Sequence, residues 1–219
     1  STDQRGLHHL IFEIVDNAVD EFMAGHCSGV DIRIERDGTV RVEDDGRGIP
    51  VDIHPATGIS AVETVMTTLH AGGKFGGKAY SVSGGLHGVG ASVVNALSAR
   101  FEVDVYRDGS VHHQEFAKGD SLSELSSEKL PDTEKDKRGT AITFLADSEI
   151  FSELDFDFAI LAQRFKEMAY LNKGMELRFS SDWHADLWPN NQATYYFEGG
   201  ISSFVRSLNQ NRAALHTDP

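Results

Sequence analysis

The sequence predicts an α+β fold, a two-layer sandwich in which helices cover one face of a mixed β-sheet. Two patterns support this prediction. Apolar residues recur with helical spacing in two long segments, and several short segments alternate apolar and polar residues as strands do. Segments of both kinds are interleaved along the chain, which is typical of layers that share one core. The 219 residues, of which 40% are hydrophobic, suffice for a single domain spanning residues 1–219.

The first predicted helix covers residues 7–24. Its apolar residues recur at i, i+3, i+4 and i+7, so one side of the helix is expected to be buried. These residues are Leu7, Leu10, Ile11, Ile14, Val15, Ala18, Val19 and Phe22. On the other side, Glu13, Asn17 and Asp20 fall within an arc of about 60° at 100° per residue.

This polar side has two interpretations. It can be an ordinary solvated surface, which is the common case. However, Asn17 stands in mid-helix, where asparagine is unfavourable, and it lies one turn from Glu13. A carboxylate can activate water and an amide oxygen can complete a magnesium shell, so Glu13 and Asn17 are candidate catalytic and metal-binding residues. His9, one turn before Glu13, can orient it through a hydrogen bond or can be a simple surface histidine.

A hairpin follows, with strands over residues 30–34 and 39–43 joined at an Asp-Gly turn. The second strand runs into residues 44–50, Asp-Asp-Gly-Arg-Gly-Ile-Pro. Asp44 is therefore expected in a sharp bend. An ionised carboxylate only accepts hydrogen bonds, so it suits an exocyclic amine such as adenine N6. The alternative is an ordinary Asp-Gly turn.

Residues 84–90, Gly-Gly-Leu-His-Gly-Val-Gly, lead directly into a predicted helix over residues 91–97. Glycines allow close approach of the backbone, and a helix N-terminus offers unpaired N–H groups to an anion. The pattern favours a phosphate-binding segment, although a tight turn is the alternative. It differs from a Walker A loop because no Gly-Lys-Ser/Thr follows. The glycine-rich residues 72–85 predict a mobile lid.

The remaining segments are predicted to form the scaffold. We expect a helix over residues 58–70 and a hairpin with strands over residues 101–106 and 111–116. An exposed connection over residues 118–138 leads to a strand over residues 139–145. Another amphipathic helix, a strand and a short final helix are expected over residues 157–171, over residues 175–179 and after residue 201.

Composition limits the possible functions. The net charge of −14 argues against nucleic-acid binding by this chain, because duplex binding depends on Lys and Arg at phosphates. The single cysteine, Cys27, excludes an internal disulfide and fits a reducing compartment. The sequence shows no signal peptide and no long apolar span, so we expect a cytoplasmic protein without a membrane partner.

Four motifs, taken together, resemble the GHKL (Bergerat) ATP-binding fold shared by type II topoisomerases, Hsp90, MutL and sensor histidine kinases. Residues 13–21, 44–50, 69–75 and 83–90 are most similar to the DNA gyrase B family, and nearly as similar to the paralogous E subunit of topoisomerase IV. The resemblance extends from about residue 5 to the C-terminus. It implies a GHKL-type fold, with ATP and Mg²⁺ as ligands.

The resemblance also implies roles for individual residues. Glu13 matches the general base that activates water against the γ-phosphate, supported by His9, and Asn17 matches the magnesium ligand. Asp44 matches the acceptor for adenine N6, with Gly48 and Thr140 nearby. The matching nucleotide-binding residues are Asn17, Asp44, Arg47, Gly48, Ile49, Pro50, Lys74, Gly85, Leu86, His87, Gly88, Val89, Gly90, Ala91, Arg107 and Thr140.

Several of these matches carry more specific expectations. Arg47 and Pro50 match walls of the adenine pocket, with Arg47 paired to Glu21. Lys74 and residues 85–91 match the phosphate-binding lid, and Arg107 matches an arginine that contacts coumarin inhibitors. The chain departs from the family at Ser81, where many relatives carry lysine, so one cationic phosphate contact is lost or is supplied by Lys78.

For the whole protein, the resemblance implies ATP-driven gate closure during DNA supercoiling. The A subunit of gyrase and DNA would be contacted through other domains, and a homodimer would form through an N-terminal arm. We expect the chain to be an excised ATPase domain, without that arm, the following transducer domain or the DNA-cleavage domain. An isolated domain is therefore expected to bind ATP but to hydrolyse it slowly. The alternatives are the E subunit of topoisomerase IV, which decatenates DNA, a histidine kinase, or a binding module that uses ATP only as a switch.

Overall fold

The structure is a computed structural model that describes residues 1–55, 57–68 and 90–209. Helices and strands alternate along the described chain. In chain order they are α1 (Gln4–Met23), β1 (Gly29–Ile34), β2 (Val40–Asp44), α2 (Ala61–Thr67), α3 (Gly90–Ala96), β3 (Ser98–Arg107), β4 (Ser110–Ala117), β5 (Asp120–Ser121), β6 (Ser126–Lys129), β7 (Gly139–Ala146), α4 (Phe158–Leu171), β8 (Glu176–Ser181), a 3₁₀ helix (Asp182–Leu187), β9 (Gln192–Tyr195) and α5 (Ile201–Asn209).

The strands form one mixed sheet of nine strands in the order β5-β4-β3-β7-β2-β1-β8-β9, and β6 pairs with β4. Only β1 and β8 pair in parallel; the other strand pairs of the described sheet are antiparallel. The register places Glu43 opposite Ala141 and Tyr106 opposite Gly139. The end of β2, the start of β7 and the end of β3 therefore lie next to one another, at the same end of these three adjacent strands.

The helices pack against one face of this sheet, because the strands place apolar side chains on that face at every second position. β1 contributes Val30, Ile32 and Ile34, all at most 1% exposed. In α1 the buried stripe includes Leu7, Ile11 and Val15, none of which is exposed. The opposite sheet face carries charged and polar side chains and lacks a covering layer among the described residues. This arrangement confirms the predicted α+β fold of two layers.

Local sequence signals explain where the elements begin and turn. Asp3, Ser60 and Asp157 cap the N-termini of α1, α2 and α4 by accepting backbone N–H bonds, as capping residues do. The β1–β2 turn places Gly38 at φ +85°, and the β3–β4 turn has positive φ at both Asp108 and Gly109. Consecutive positive φ values match the twist of a two-residue hairpin turn.

The structure confirms the expected hairpins and the helix near residues 157–171, but it corrects two boundaries. The expected connection over residues 118–138 contains the short strands β5 and β6, so that prediction was wrong in part. Their residues are mainly polar and exposed, and the backbone pairing with β4 is not visible in a pattern of apolar residues. The helix expected over residues 58–70 spans only Ala61–Thr67, where Ser60 caps its start.

Candidate active site

The candidate site lies where residues 44–50, which begin at the last residue of β2, pass between α1 on one side and the start of β7 on the other. The sheet register produces this meeting point, because β2 is hydrogen-bonded to β7 and β7 to β3. Helices α1 and α3 pack together beside it. Polar side chains from four elements are thereby brought to one region.

Two neighbouring aspartates, Asp44 at the end of β2 and Asp45 just after it, lie in opposite environments. Asp45 accepts from the backbone N–H groups of Ser28 and Gly29 at 2.7 and 3.1 Å, and also from the Ser28 hydroxyl. Partial burial opposes its ionisation, but these hydrogen bonds outweigh it and lower the pKa of Asp45 to about 2. Asp45 is therefore a structural link between β2 and the start of β1.

Asp44 is the carboxylate that remains available in the site. Its Oδ1 accepts from the Gly46 backbone N–H at 2.8 Å. Burial raises the pKa of Asp44 to about 7, and the nearby charges of Glu21 and Asp45 act in the same direction, against the N–H groups of Gly46 and Thr140. A carboxylate that is costly to ionise gains from a ligand that donates a hydrogen bond to it.

Arg47 is held by Glu21 of α1, as the resemblance implies. The Glu21 carboxylate accepts from the backbone N–H, Nε and Nη2 of Arg47, each at 2.9 Å. Burial alone would raise the pKa of Glu21, but the hydrogen bonds from Arg47 outweigh it and lower that pKa. This bidentate pair ties the loop after β2 to α1 and orients the guanidinium.

Glycines at three positions allow the backbones around Asp44 to approach closely. A side chain at Gly46 would collide with Glu21 and lie 2.7 Å from Asp44 Oδ1. Gly48 has φ +78°, and a Cβ there would lie 2.9 Å from Val105. Gly139, with φ +126°, would collide with the carbonyl oxygen of Asp44 if it carried a Cβ.

Thr140 and Arg107 both contact Ile49. The Thr140 hydroxyl accepts from the Ile49 backbone N–H at 3.1 Å, while Arg107 Nη1 donates to the Ile49 carbonyl at 3.4 Å. Ile49 and Pro50 are half-buried. Ile49 is thereby fixed between β3 and β7, with Arg107 beside it at the outer edge of the site.

Glu13 lies where α1 meets the start of α3. A Cβ on Gly90 would lie 2.7 Å from Glu13 Oε2, so the carboxylate packs directly against the first residue of α3. Glu13 and Asn17 are both exposed, one turn apart on α1, and Ala91 is buried. The structure thus places an accessible carboxylate and an accessible amide on the same side of the helix.

No hydrogen bond joins His9 to Glu13 in the part of the chain that is described; the His9 ring instead contacts Phe12 edge-on, with centroids 5.9 Å apart. The structure thus does not show the expected hydrogen bond, and the supporting role of His9 stays a prediction. The predicted lid over residues 72–85 lies outside the described residues, as do Lys74, Ser81, Lys78, Gly85, Leu86, His87, Gly88 and Val89.

Sequence reasoning misses Gly139 as a residue of the site. The pattern assigns Gly139 only to a strand, and its neighbour Thr140 is singled out only through the resemblance. A glycine that opens a strand is a signal for close approach of two backbones. That signal identifies its partner, the Asp44 carbonyl, only when the pairing of β2 with β7 is known.

The arrangement has two chemically different ends. Around Asp44, a hydrogen-bond acceptor lies among half-buried loop residues, which suits a planar group that carries an amine. Around Glu13 and Gly90, a carboxylate that can take a proton from water lies beside the backbone of a helix N-terminus. A ligand that spans both ends would have an amine-bearing ring and an anionic tail.

Comparison with known proteins identifies the family. A family model described as histidine kinase-, DNA gyrase B- and HSP90-like ATPase matches residues 2–150. The whole chain is 51% identical to the B subunit of DNA gyrase from Synechocystis and covers 20% of that protein. It is 50% identical to the same protein of Halalkalibacterium halodurans and covers 33% of it. The chain thus spans a fifth to a third of the length of these relatives.

A solved structure shows the same fold. The 43K ATPase domain of Thermus thermophilus gyrase B, in complex with an aminocoumarin, superposes with a TM-score of 0.84 at 38% sequence identity. The match covers 100% of this chain and 53% of that one. The mixed sheet backed by helices is therefore of the GHKL type. Because the family model matches more than half of the chain, this chain belongs to the family of histidine kinase-, DNA gyrase B- and HSP90-like ATPases.

Proposed function

We propose that this chain binds and hydrolyses ATP as the ATPase part of a type II DNA topoisomerase of the DNA gyrase kind. The observation that carries the proposal is the environment of Asp44. Its half-buried carboxylate has a pKa raised to about 7 and lies beside Thr140, in a chain that belongs to this ATPase family. The Asp44 carboxylate can accept a hydrogen bond from an N–H donor, which adenine N6 provides.

The adenine end is built from described residues. Asp44 accepts from N6, Thr140 and Gly48 line the same region, and Arg47, Ile49 and Pro50 form the walls. Arg107 lies at the outer edge through its contact with Ile49. Since the similar Thermus gyrase B domain was solved with an aminocoumarin, we propose that such compounds compete with ATP here and contact Arg107.

The phosphate end contains Glu13, Asn17, Gly90 and Ala91, and we assign Lys74 and residues 85–89 to it from the resemblance. Glu13 takes a proton from the water that attacks the γ-phosphate, and His9 remains a candidate supporting residue. The exposed Asn17 oxygen is a hard ligand that fits Mg²⁺, which usually keeps several waters and phosphate oxygens. When bound, Mg²⁺ neutralises charge on the phosphates.

In the whole protein, ATP binding and hydrolysis would drive gate closure during DNA supercoiling. We propose that the partners are the A subunit of gyrase and DNA, contacted through other domains, and a second copy of the B subunit. The relatives that match over the whole chain are named as B subunits of DNA gyrase, which favours gyrase over topoisomerase IV. We propose a cytoplasmic location, because the protein would act on the DNA of the cell. Among the described helices, none is long and apolar enough to cross a bilayer.

The test separates binding from hydrolysis by changing Glu13. Glu13→Gln removes the base but keeps the side-chain shape, so the 219-residue chain should still bind Mg·ATP, as measured by calorimetry. Phosphate release by the full-length protein should fall by about 10²–10⁴-fold, the usual effect of losing a general base. Asp16→Asn on the same helix serves as the control and should leave the rate nearly unchanged.

Two results would contradict the proposal. If Glu13→Gln hydrolyses ATP at the rate of the unchanged full-length protein, Glu13 is not the base. If the unchanged chain binds neither Mg·ATP nor an aminocoumarin, the assignment of the pocket fails.

A further inference from the structure

The side chain of Asn95 connects three separate parts of the fold. Asn95 belongs to α3 and is fully buried. Its Nδ2 donates to the carbonyl oxygen of Met66 at 2.9 Å, and its Oδ1 accepts from the backbone N–H of Gly119 at 3.3 Å. Both polar atoms of the amide are therefore used, which offsets the cost of burying it.

The bond to Met66 completes the end of α2. The last carbonyl groups of a helix have no partner inside the helix, and Met66 lies in the last turn of α2. Helices α2 and α3 have only seven residues each, which is too short for independent stability. Their relative position must come from tertiary contacts, and Asn95 supplies a directional one.

The start of α3 is the part of this helix that reaches the proposed site. Gly90 packs so closely against Glu13 that a Cβ would lie 2.7 Å from the carboxylate. A shift of α3 by a few tenths of an ångström would therefore change the position of the Gly90 backbone relative to Glu13. Asn95, more than one turn further along α3, is well placed to resist such a shift.

We infer that Asn95 is a positioning residue, which holds α3 against α2 and thereby sets the position of the Gly90 backbone relative to Glu13, in the described part of the phosphate end. The inference rests on the proposed ATP-binding function. Asn95 itself is buried away from the ligand and acts through Gly90. Its loss should weaken binding of the phosphates while leaving the adenine end, built on β2, β3 and β7, intact.

The experiment compares two ligands in matched variants of the whole chain. Dissociation constants for Mg·ATP and for adenosine are measured with Asn95→Ala, and with Asn95→Asp, which keeps the acceptor for Gly119 but loses the donor to Met66. The ratio of ATP affinity to adenosine affinity should fall about tenfold in both variants, a typical size for coupling between sites. Ser98→Ala is the control, because it removes a buried bond to Val94 at the end of α3 without a link to α2.

An unchanged ratio in a folded Asn95 variant would overturn the inference while leaving the proposed function intact. Failure of the unchanged chain to bind Mg·ATP would overturn both. If neither variant folds, the inference is tested by hydrogen exchange of the Asn95 side-chain amide in the unchanged chain. If Asn95 affects phosphate binding, phosphate binding must in turn affect Asn95, because coupling between two sites is reciprocal. Saturating Mg·ATP should slow that exchange more than saturating adenosine does; equal rates would overturn the inference.

Discussion

At the scale of single residues, neighbouring aspartates of identical chemistry have different tasks. Asp45 is occupied by Ser28 and Gly29, and its pKa is lowered to about 2. Asp44 accepts from the backbone N–H of Gly46, and its pKa is raised to about 7 by burial. The fold thus leaves the Asp44 carboxylate available for a ligand, although burying this charge lowers the stability of the folded chain.

The first prediction concerns base selectivity at Asp44. In Asp44→Asn, Oδ1 can still accept from Gly46, but the amide NH₂ then faces the ligand. Two donors would meet at adenine N6, whereas guanine O6 would find a donor. ATP binding should weaken by about 1.5–3 kcal/mol and the preference for ATP over GTP should narrow, as measured by calorimetry.

The control for that prediction is Asp45→Asn. Its Oδ1 can still accept from the backbone N–H groups of Ser28 and Gly29, but the negative charge that these bonds and the Ser28 hydroxyl stabilise is lost. The thermal midpoint should therefore change, while the preference for ATP over GTP stays the same. Equal ATP affinity in Asp44→Asn and the unchanged chain would show that Asp44 does not contact the base.

The second prediction concerns pH. The pKa of Asp44 rises from its ordinary value of 3.8 to about 7 in the folded chain. The folded state therefore binds more protons than the unfolded state between about pH 4 and 7, so the stability contributed by this group falls as pH rises through that window. Asp44→Asn should raise the free energy of unfolding by roughly 2–4 kcal/mol at pH 8 and by little at pH 4.5.

Ligand binding should show the opposite dependence on pH. Adenosine, whose base donates to the ionised form of Asp44, should bind the unchanged chain more weakly as pH falls below about 7. Asp44→Asn should lose this dependence. A flat stability difference between pH 4.5 and 8 in chemical denaturation would contradict the raised pKa.

At the scale of elements, the site depends on how closely β7 approaches the end of β2. Gly139 opens β7 with φ +126° and leaves no room for a side chain beside the Asp44 carbonyl. The next residue, Thr140, then reaches the Ile49 N–H at 3.1 Å. Asp44 and Gly139 are 95 residues apart in the sequence. These contacts nevertheless hold the end of β2 and the start of β7 together on one side of the site.

The third prediction is that Gly139→Ala disturbs the close contact between the start of β7 and the end of β2. The substitution combines an unfavourable φ with a collision against backbone, which cannot move aside as a flexible side chain can. We expect a loss of about 3 kcal/mol or more in the free energy of unfolding, together with weaker adenosine binding.

Gly174→Ala is the matched control. Gly174 also has positive φ, +85°, but a Cβ there would have nothing within 4 Å. Its substitution should cost only about 1 kcal/mol, for the strained φ alone. The free energies of unfolding of both variants are measured by urea denaturation. Similar losses in the two variants would show that the close approach of Gly139 to Asp44 does not contribute to stability.

At the scale of the whole molecule, the open face of the sheet is held together by charge pairs that cross the strands. Arg41 of β2 donates to Glu43 at 2.9 Å, to Asp104 of β3 at 3.2 Å and to Thr143 of β7 at 3.1 Å. Lys137 adds a pair with Glu43 at 2.8 Å. A groove of about 540 Å³ on this face is lined in part by charged side chains, among them Arg41, Glu43 and Arg178.

The fourth prediction is that Arg41→Met destabilises the chain although methionine fills much of the same space. Asp104 and Glu43 would lose a half-buried cation, and their pairs with His113 and Lys137 would replace only part of it. We expect a loss of about 1–3 kcal/mol, which shrinks in high salt because screening weakens the pairs.

Arg33→Met provides the comparison. Arg33 is more exposed and pairs with Glu35 at 3.9 Å, so its loss should stay within about 0.5 kcal/mol. Thermal midpoints that change equally in the two variants would contradict a special role of the Arg41 pairs.

Much of this fold follows from local patterns. The apolar stripe of α1, the Asp-Gly turns and the alternating strands identify most elements because each pattern depends on neighbours along the chain. The strands β5 and β6 escape prediction because their polar residues are held by backbone bonds to β4. The site is likewise predictable only in part. Asp44 is recognisable at the end of a strand, and Glu13 and Asn17 on the polar side of a helix, whereas no local pattern identifies Gly139 or Asn95.

The sequence by itself therefore determined the class of fold, the family and the motifs from which the site is assembled. Tertiary structure alone decided that Asp44 rather than Asp45 stays available, that Arg47 uses three N–H donors in its expected pair with Glu21, and that the His9 ring contacts Phe12. The physical reason is range. Propensity, turn and hydrophobic periodicity act over a few residues, whereas burial, pKa and backbone clearance depend on which distant strands and helices come into contact.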